Sequence, residues 1–184
     1  MKLLYINACV RKESRTDKIA RALIEKAGEG CEVEELRLES LNLTPLNEER
    51  LNKRYNLIAS QSFDNPEFLL ANQLANADVI VISAPYWDGS FPSILKLYIE
   101  NIYITGIVSK YSEQGIPVGL CKGKMLYYVT TAGGPYNSTY SYDHIRDLAI
   151  NCLGIKDTKL IKAEMLDVIG FDADKIVADT IANL

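Results

Sequence analysis

The amino-acid sequence predicts an α/β fold, a three-layer sandwich in which helices cover both faces of a five-stranded parallel sheet of strand order 2-1-3-4-5. Short apolar runs alternate with segments of helical period along the whole chain of 184 residues. This alternation indicates βαβ units, which form parallel sheets. Five strands in this length fit the order 2-1-3-4-5 better than a six-stranded dinucleotide-binding sheet.

The first third of the chain supplies the first two strands and the first helix. Residues 2–7 form a short apolar run that predicts a buried strand. Residues 14–27 place Ala20, Leu23, Ile24 and Ala27 on one stripe, which predicts a helix. Residues 32–38 alternate apolar and charged side chains, as in a more exposed strand. The stretch 41–77 is longer than one crossover needs, and we expect it to carry two short helices.

The remaining elements follow the same alternation. Residues 78–83 are a continuous Val/Ile run, which is typical of a strand buried on both faces. The other predicted elements are a helix at 92–104, a strand at 124–131, a helix at 141–153, a strand at 158–165 and a helix at 172–182. Pro92 suits a helix start, and Gly154 suits a helix end.

The composition predicts one globular domain over residues 1–184. Hydrophobic residues make up 48% and charged residues 24%, and the net charge is −4. This balance argues against nucleic-acid binding, which needs clustered Lys and Arg. No apolar run approaches the roughly 18 residues that span a bilayer. The first residues become polar too soon for a signal peptide, so we expect no membrane association and a cytoplasmic protein.

The four cysteines show no paired spacing. They are Cys9, Cys31, Cys121 and Cys152, and the chain has one histidine, His144. This set predicts no metal site. Free thiols that pack as small hydrophobic side chains are the expected state. Cys9 differs from the others because it falls in a loop that we assign to a ligand.

A ligand site is expected beyond the carboxyl ends of the strands, near the point where strand order reverses. The loops after strands 1, 3 and 4 meet there. The first, residues 8–16, combines the cations Arg11, Lys12 and Arg15 with the hydroxyls of Ser14 and Thr16 at a helix start. Such a start suits a phosphate. An N-terminal capping box formed by Ser14 and the acid three residues later explains the pattern equally well.

The second loop, residues 84–92, carries the only Trp of the chain. Aromatic side chains beside Gly89 suit a flat aromatic ligand that needs stacking faces and close backbone approach. A packed turn is the alternative. The third loop, residues 130–136, contains Gly133 and Gly134, whose N–H groups can approach a ligand, although a flexible turn has the same composition. The chain has neither G-x-G-x-x-G nor G-x-x-x-x-G-K-[ST].

Together these residues resemble the FMN-dependent NADH azoreductases, which belong to the flavodoxin-like NAD(P)H:quinone reductases. The resemblance rests on the 84–92 loop, residues 94–98, the 110–115 loop, Gly119, Leu120, Gly123, Lys124 and the 131–134 turn. It covers the first loop and about residues 66–165. It implies a flavodoxin-like fold with FMN as cofactor and NADH or NADPH as co-substrate.

The resemblance also implies roles for particular residues. Ser14, Arg15 and Thr16 are the residues expected to bind the FMN phosphate. Two groups of residues are expected to contact the flavin ring. They are Pro85, Tyr86, Trp87, Asp88 and Gly89 in the second loop, and Thr131, Ala132, Gly133 and Gly134 in the third. Tyr136 and His144 are the candidate catalytic residues, as proton donors to the acceptor. For His144 a surface position at a helix start is the alternative.

The implied activity is electron transfer from NAD(P)H through FMN to a quinone, azo or similar small aromatic acceptor, in a ping-pong hydride mechanism. The alternatives are a flavodoxin-type electron carrier without its own substrate, and a flavin-free signalling domain of the same fold. Family members are usually homodimers. The apolar helix 92–104 agrees with this, because a helix that is apolar on several faces is buried on more than one side.

Overall fold

The computed structural model describes residues 1–184 and contains a five-stranded parallel sheet with helices on both faces. The strands of the chain are β1 (Lys2–Asn7), β2 (Glu32–Arg37), β3 (Val79–Ser83), β4 (Ser109–Tyr111), β5 (Pro117–Gly119), β6 (Met125–Thr131) and β7 (Asp157–Ala163). The large sheet has the order β2-β1-β3-β6-β7, and all its pairings are parallel. The predicted order 2-1-3-4-5 is therefore confirmed.

Helices form the two outer layers. They are α1 (Arg15–Ala27), α2 (Glu48–Ala59), α3 (Leu69–Asn76), α4 (Ser93–Ile102), α5 (Tyr142–Leu148) and α6 (Ala173–Ala182). Helices α1 and α6 cover one face of the sheet through buried side chains such as Ile19 and Val177. Helices α3, α4 and α5 cover the other face, where the larger core lies. None of the helices combines the length and apolar character that crossing a bilayer requires.

The long stretch between β2 and β3 carries the two expected helices, α2 and α3. A separate short turn of 3₁₀ helix, Pro66–Phe68, precedes α3. Pro92 is the residue before α4 rather than its first residue, and α4 ends at Ile102, two residues earlier than predicted. Because Pro92 lacks an N–H, it fits this boundary position as well as the first turn.

Two features of the second half were not predicted. The helix expected over 141–153 is α-helical only to Leu148, and a π-helical turn, Ala149–Leu153, completes it. An antiparallel hairpin, β4 with β5, packs against this turn. A Cβ atom at Gly119 would lie 2.1 Å from the Gly154 nitrogen, so only glycine permits this approach. The hairpin was missed because its strands are only three residues long.

A buried arginine joins α2 to the end of α4. Arg54 donates to the carbonyl oxygens of Glu100 and Asn101 at 3.3 and 3.2 Å, and to the carboxylate of Glu67 at 3.2 Å. Glu67 also pairs with Arg50 and Lys53. We call Arg50, Lys53, Arg54, Glu67 and Asn101 the Arg54 cluster. A cation at the carboxyl end of α4 interacts favourably with the helix dipole and with carbonyls that lack helical partners.

Candidate functional site

The loops after β1, β3 and β6 meet at the carboxyl edge of the sheet, as predicted. They border a cavity of about 1180 Å³. The Thr16 and Thr131 hydroxyls lie 2.6 Å apart and join the first loop to the third. The Tyr86 N–H donates to the Thr131 carbonyl at 2.9 Å and joins the second loop to the third. The predicted residues that line the cavity are Ser14, Arg15, Thr16, Pro85, Tyr86, Trp87, Thr131, Ala132 and Gly133.

Most backbone N–H groups of the first loop have no hydrogen-bond acceptor in the chain. The Cys9 N–H donates to Asn7 Oδ1 at 3.0 Å, and the Asp17 N–H donates to Ser14 Oγ at 3.3 Å. Between them, the N–H groups of residues 10 to 16 donate to no other atom of the chain. Unpaired donors at the start of a helix, where the dipole is positive, form a site that favours an anion. We call residues 10–16 the amide cradle.

The predicted capping box is half present. Ser14 is the N-cap of α1, and its hydroxyl accepts from the Asp17 N–H. The Asp17 carboxylate does not return to Ser14 but turns toward the sheet, where Tyr5 and Asn7 donate to it. Thr16 is buried against Thr131, whereas Arg15 is exposed and pairs with Asp167 at 3.4 Å. Helix capping and an open anion cradle therefore coexist at this helix start.

The second loop makes a tight turn below its exposed tryptophan. Trp87 and Ser90 exchange two backbone hydrogen bonds of 2.8 Å, and Asp88 and Gly89 between them have φ of 49° and 83°. Positive φ at both central residues identifies a type I′ turn, which favours Asp-Gly. The Trp87 side chain is 39% exposed. Asp88 and Gly89 shape the turn and do not line the cavity, whereas Tyr86 and Trp87 do.

The third loop is held by the segment after β7. The Gly133 and Gly134 carbonyls accept from the N–H groups of Asp167 and Met165 at 2.9 and 3.1 Å. The N–H groups of the two glycines have no acceptor in the chain. A Cβ atom at Gly133 would lie 2.5 Å from the Asp167 carboxylate, so a larger residue here would displace the exposed Asp167 side chain. Gly133 lines the cavity and Gly134 lies beyond it.

The structure separates the two candidate catalytic residues. The Tyr136 ring contacts Tyr86 edge to face at 4.9 Å, and its hydroxyl donates to Ser141 Oγ at 3.1 Å. Burial raises the pKa of Tyr136, although the hydrogen bond to Ser141 opposes the shift. His144 is exposed and lines a second cavity of about 560 Å³ with Ser90 and Phe91. Neither Tyr136 nor His144 lines the cavity between the three loops.

A partly buried polar network lies under the first loop and was not predicted. Tyr5 and Asn7 in β1 donate to Asp17 of α1, and Ser83 at the end of β3 lies 2.8 Å from the Tyr5 hydroxyl. We call Tyr5, Asn7, Asp17, Arg21, Glu35 and Ser83 the Tyr5 network. The sequence signal was the polar residue that ends each of two otherwise apolar strands, Asn7 and Ser83, at the edge where ligands bind.

The cysteines are all free thiols, and only Cys9 is buried. Its sulfur lies 3.5 Å from Ser83 Oγ at the floor of the cavity. Burial raises the pKa of the Cys9 thiol, and the hydroxyls of Ser14 and Ser83 only partly offset this. A thiol with a raised pKa is a weak nucleophile. Cys9 therefore contributes packing and a weak hydrogen bond to the site.

Comparison with known proteins agrees with this geometry. A family model described as flavodoxin-like fold matches residues 1–184. FMN-dependent NADH:quinone oxidoreductase 2 of Clostridium acetobutylicum is 38% identical over 190 residues, which cover 98% of this chain and 94% of that protein.

Two solved structures have the same fold. The azoreductase from Bacillus anthracis str. Sterne superposes with a TM-score of 0.83 at 21% identity, covering 100% of this chain and 96% of that one. An FMN-dependent NADH-azoreductase from Bacillus anthracis str. Ames Ancestor, in complex with FMN, gives a TM-score of 0.79 at 22% identity, covering 99% and 94%. From the family match over its whole length, this chain belongs to the flavodoxin-like fold family.

Proposed function

We propose that this protein is an FMN-dependent oxidoreductase that passes electrons from NADH or NADPH to a quinone, azo or similar aromatic acceptor. The observation that carries the proposal is the amide cradle, which opens into the same cavity as two aromatic side chains, Tyr86 and Trp87. Relatives more than 30% identical over nearly the whole chain are named FMN-dependent NADH:quinone oxidoreductases. Their names support the same cofactor and electron donor for this enzyme.

The residues present fit FMN. A phosphate dianion needs several hydrogen-bond donors, and the amide cradle offers unpaired N–H groups with Arg11 and Lys12 nearby. A flavin ring needs an apolar, flat contact and donors at its polar edge. The exposed face of Trp87 and the free N–H groups of Gly133 and Gly134 provide these in the same region. The cavity of about 1180 Å³ is large enough for a cofactor of this size.

The proposal assigns the binding residues by loop. Ser14, Arg15 and Thr16 hold the phosphate, chiefly through backbone N–H groups, since the Thr16 hydroxyl already pairs with Thr131. In the second loop, Pro85, Tyr86 and Trp87 hold one side of the ring, and Asp88 and Gly89 form the turn that positions Trp87. In the third loop, Thr131, Ala132 and Gly133 hold the far edge of the ring, and Gly134 continues the turn beside them.

When bound, FMN supplies the redox chemistry by accepting a hydride equivalent and passing two electrons to an acceptor. The protein binds the donor and the acceptor in turn at one open position beside Trp87, which gives ping-pong kinetics. The free N–H groups of Gly133 and Gly134 can stabilise negative charge at the site. They are held in place because the carbonyls of the same two residues accept hydrogen bonds from the segment after β7.

Of the two candidate proton donors, Tyr136 has the better position. Its ring contacts Tyr86 of the second loop, whereas His144 lines the separate cavity. The Tyr136 hydroxyl is protonated at neutral pH, although burial raises its pKa and makes it a weaker acid than a free tyrosine. Its hydrogen bond to Ser141 also fixes the third loop against the start of α5. We therefore keep Tyr136 in the proposal and give His144 no role in the reaction.

We also propose that the whole chain is one FMN-binding unit that works in the cytoplasm as a homodimer. Helix α4 was the expected dimer surface, but its apolar side chains Ile94 and Ile99 already pack against the core of the same chain. Exposed apolar residues also occur on the hairpin, where Tyr111 is 63% and Ile116 61% exposed. Light scattering at micromolar concentration tests the dimer, and a monomer would contradict it.

The proposed function predicts a yellow protein that releases FMN on denaturation. Anaerobic addition of NADH is expected to bleach the flavin absorbance at least as fast as the enzyme turns over in the steady state. Initial rates with NADH and a quinone are expected to give parallel double-reciprocal lines. A colourless protein that does not take up added FMN would contradict the cofactor assignment. Flavin that NADH and NADPH cannot reduce would instead indicate an electron carrier, and intersecting lines would replace the ping-pong order with a ternary complex.

A further inference from the structure

An acidic residue, Asp17, directly follows the amide cradle and lines the same cavity, but its carboxylate bonds to side chains of the sheet. Asp17 is the third residue of α1, and an acid there stabilises the helix while opposing an anion bound at the helix start. Its carboxylate is directed toward the sheet. The Asn7 side-chain amide donates to Oδ1 at 3.0 Å, and the Arg21 guanidinium donates to Oδ2 at 3.0 Å. The Tyr5 hydroxyl is a third donor, also to Oδ1.

The donors to Asp17 are fixed by the sheet. Tyr5 and Asn7 lie in β1 and are buried. The Tyr5 hydroxyl lies 2.8 Å from Ser83 Oγ on β3, and Ser83 Oγ donates to Asn7 Oδ1 at 3.2 Å. Arg21 is held in turn by Glu35 of β2 at 2.9 Å. Asp17 therefore ties the first turn of α1 to the three strands next to the first loop.

The same network reaches the loop from its other end. Asn7 Oδ1 accepts from the Cys9 N–H at 3.0 Å, immediately before the cradle begins. The Asp17 N–H, immediately after the cradle, donates to Ser14 Oγ. The run of free N–H groups therefore begins next to a hydrogen bond to Asn7 of the Tyr5 network and ends next to Asp17, whose carboxylate belongs to the same network. A site for a phosphate depends on such support, because donors that move by a few tenths of an ångström lose their geometry.

We propose that Asp17 is a positioning residue for phosphate binding: through Tyr5, Asn7 and Arg21 it fixes the amide cradle against the sheet. This inference rests on the proposed function. In this proposal Asp17 does not bind the phosphate itself, because its carboxylate oxygens already accept hydrogen bonds from Tyr5, Asn7 and Arg21. Its effect is therefore specific to a ligand that carries a phosphate.

FMN and riboflavin separate this role from general stability, because riboflavin is FMN without the phosphate. The full-length protein, freed of flavin, is titrated with each ligand by flavin fluorescence. Asp17→Asn keeps the side-chain size but places an amide where three donors converge. We expect the affinity for FMN to fall about tenfold, the scale of one charge-assisted hydrogen bond, while riboflavin affinity stays unchanged. Tyr5→Phe is expected to lower the ratio of FMN affinity to riboflavin affinity by about threefold, because Asp17 keeps its hydrogen bonds from Asn7 and Arg21.

Asp179→Asn is the matched control, since it removes the same charge from an exposed position on α6 and is expected to leave both affinities unchanged. An unchanged or increased FMN-to-riboflavin ratio in Asp17→Asn would overturn the inference, as would a parallel fall in both affinities together with a lower melting temperature. Tyr5→Phe keeps the test decisive if Asp17→Asn does not fold. Wild-type protein that binds neither ligand would contradict the proposed function itself.

Discussion

The Tyr5 network and the Arg54 cluster are both partly buried sets of charged and polar side chains, on opposite faces of the sheet. In the Arg54 cluster, cations pair with Glu67 and with the carbonyls that end α4. In the Tyr5 network, donors converge on Asp17 and Glu35, and the adjoining backbone N–H groups of residues 10–16 stay unpaired. A cluster whose neighbouring backbone groups are all hydrogen-bonded stabilises the fold. A cluster next to a run of unpaired backbone N–H groups indicates a binding site.

The largest effect is expected from the Arg54 cluster. Glu67→Gln leaves Arg54, Arg50 and Lys53 close together without their shared acid. Removing one partner of a buried ion pair costs about 3–5 kcal/mol, and Gln retains some hydrogen bonding, so we expect the lower end of this range. Urea unfolding measures the change. Lys53→Gln is the control with a smaller cost of about 1 kcal/mol or less, because Lys53 is exposed.

The pH dependence of the unfolding free energy of Glu67→Gln gives a second test of the same comparison. Burial raises the pKa of Glu67, but hydrogen bonds from Lys53, Arg50 and Arg54 outweigh it, and the pKa lies below the ordinary value of 4.5. A depressed pKa gives stability that is present above pH 4.5 and is lost as pH falls through the folded-state value. We expect a weaker acid dependence of the unfolding free energy in Glu67→Gln. If Glu67→Gln changed the ratio of FMN affinity to riboflavin affinity, the Arg54 cluster would also support the binding site, which would contradict the distinction between the two clusters.

An intermediate effect is expected at the boundary between scaffold and site. Ser14→Ala removes the N-cap of α1, which costs about 1 kcal/mol of stability. Because Ser14 also belongs to the amide cradle, we expect weaker FMN binding as well, measured by fluorescence titration. A loss of stability with unchanged FMN affinity would reduce Ser14 to a helix cap. Asn47→Ala, which removes the N-cap of α2 far from the cavity, is the matched control.

The smallest effect is expected at His144. It is exposed, and its side chain has no hydrogen bond in the chain. His144→Gln is expected to change stability by no more than about 0.5 kcal/mol, the usual range for surface substitutions. NADH oxidation is expected to stay at the wild-type rate. A slower rate with FMN still bound would bring His144 into the reaction and make the smaller cavity part of the site.

The strand order and the three loops could be predicted because they depend on local patterns. Alternating apolar runs and helical stripes require βαβ units, and the reversal of strand order fixes which loops meet. The hairpin β4–β5 and the π-helical turn before Gly154 could not be predicted. Each is stabilised by the other through the close approach at Gly119 rather than by its own few residues.

The sequence by itself determined the layered sheet, the edge at which the loops gather and the residue types that gather there. Only the tertiary structure decided which polar atoms are paired and which are free. Asp17 fits a capping box by spacing, yet its carboxylate bonds to Tyr5 and Asn7 of a neighbouring strand. The Thr16 residue lines the cavity as expected, but its hydroxyl lies within hydrogen-bond distance of the Thr131 hydroxyl. The physical reason is that periodicity fixes the face on which a side chain lies, whereas its partner is set by elements far apart in the chain.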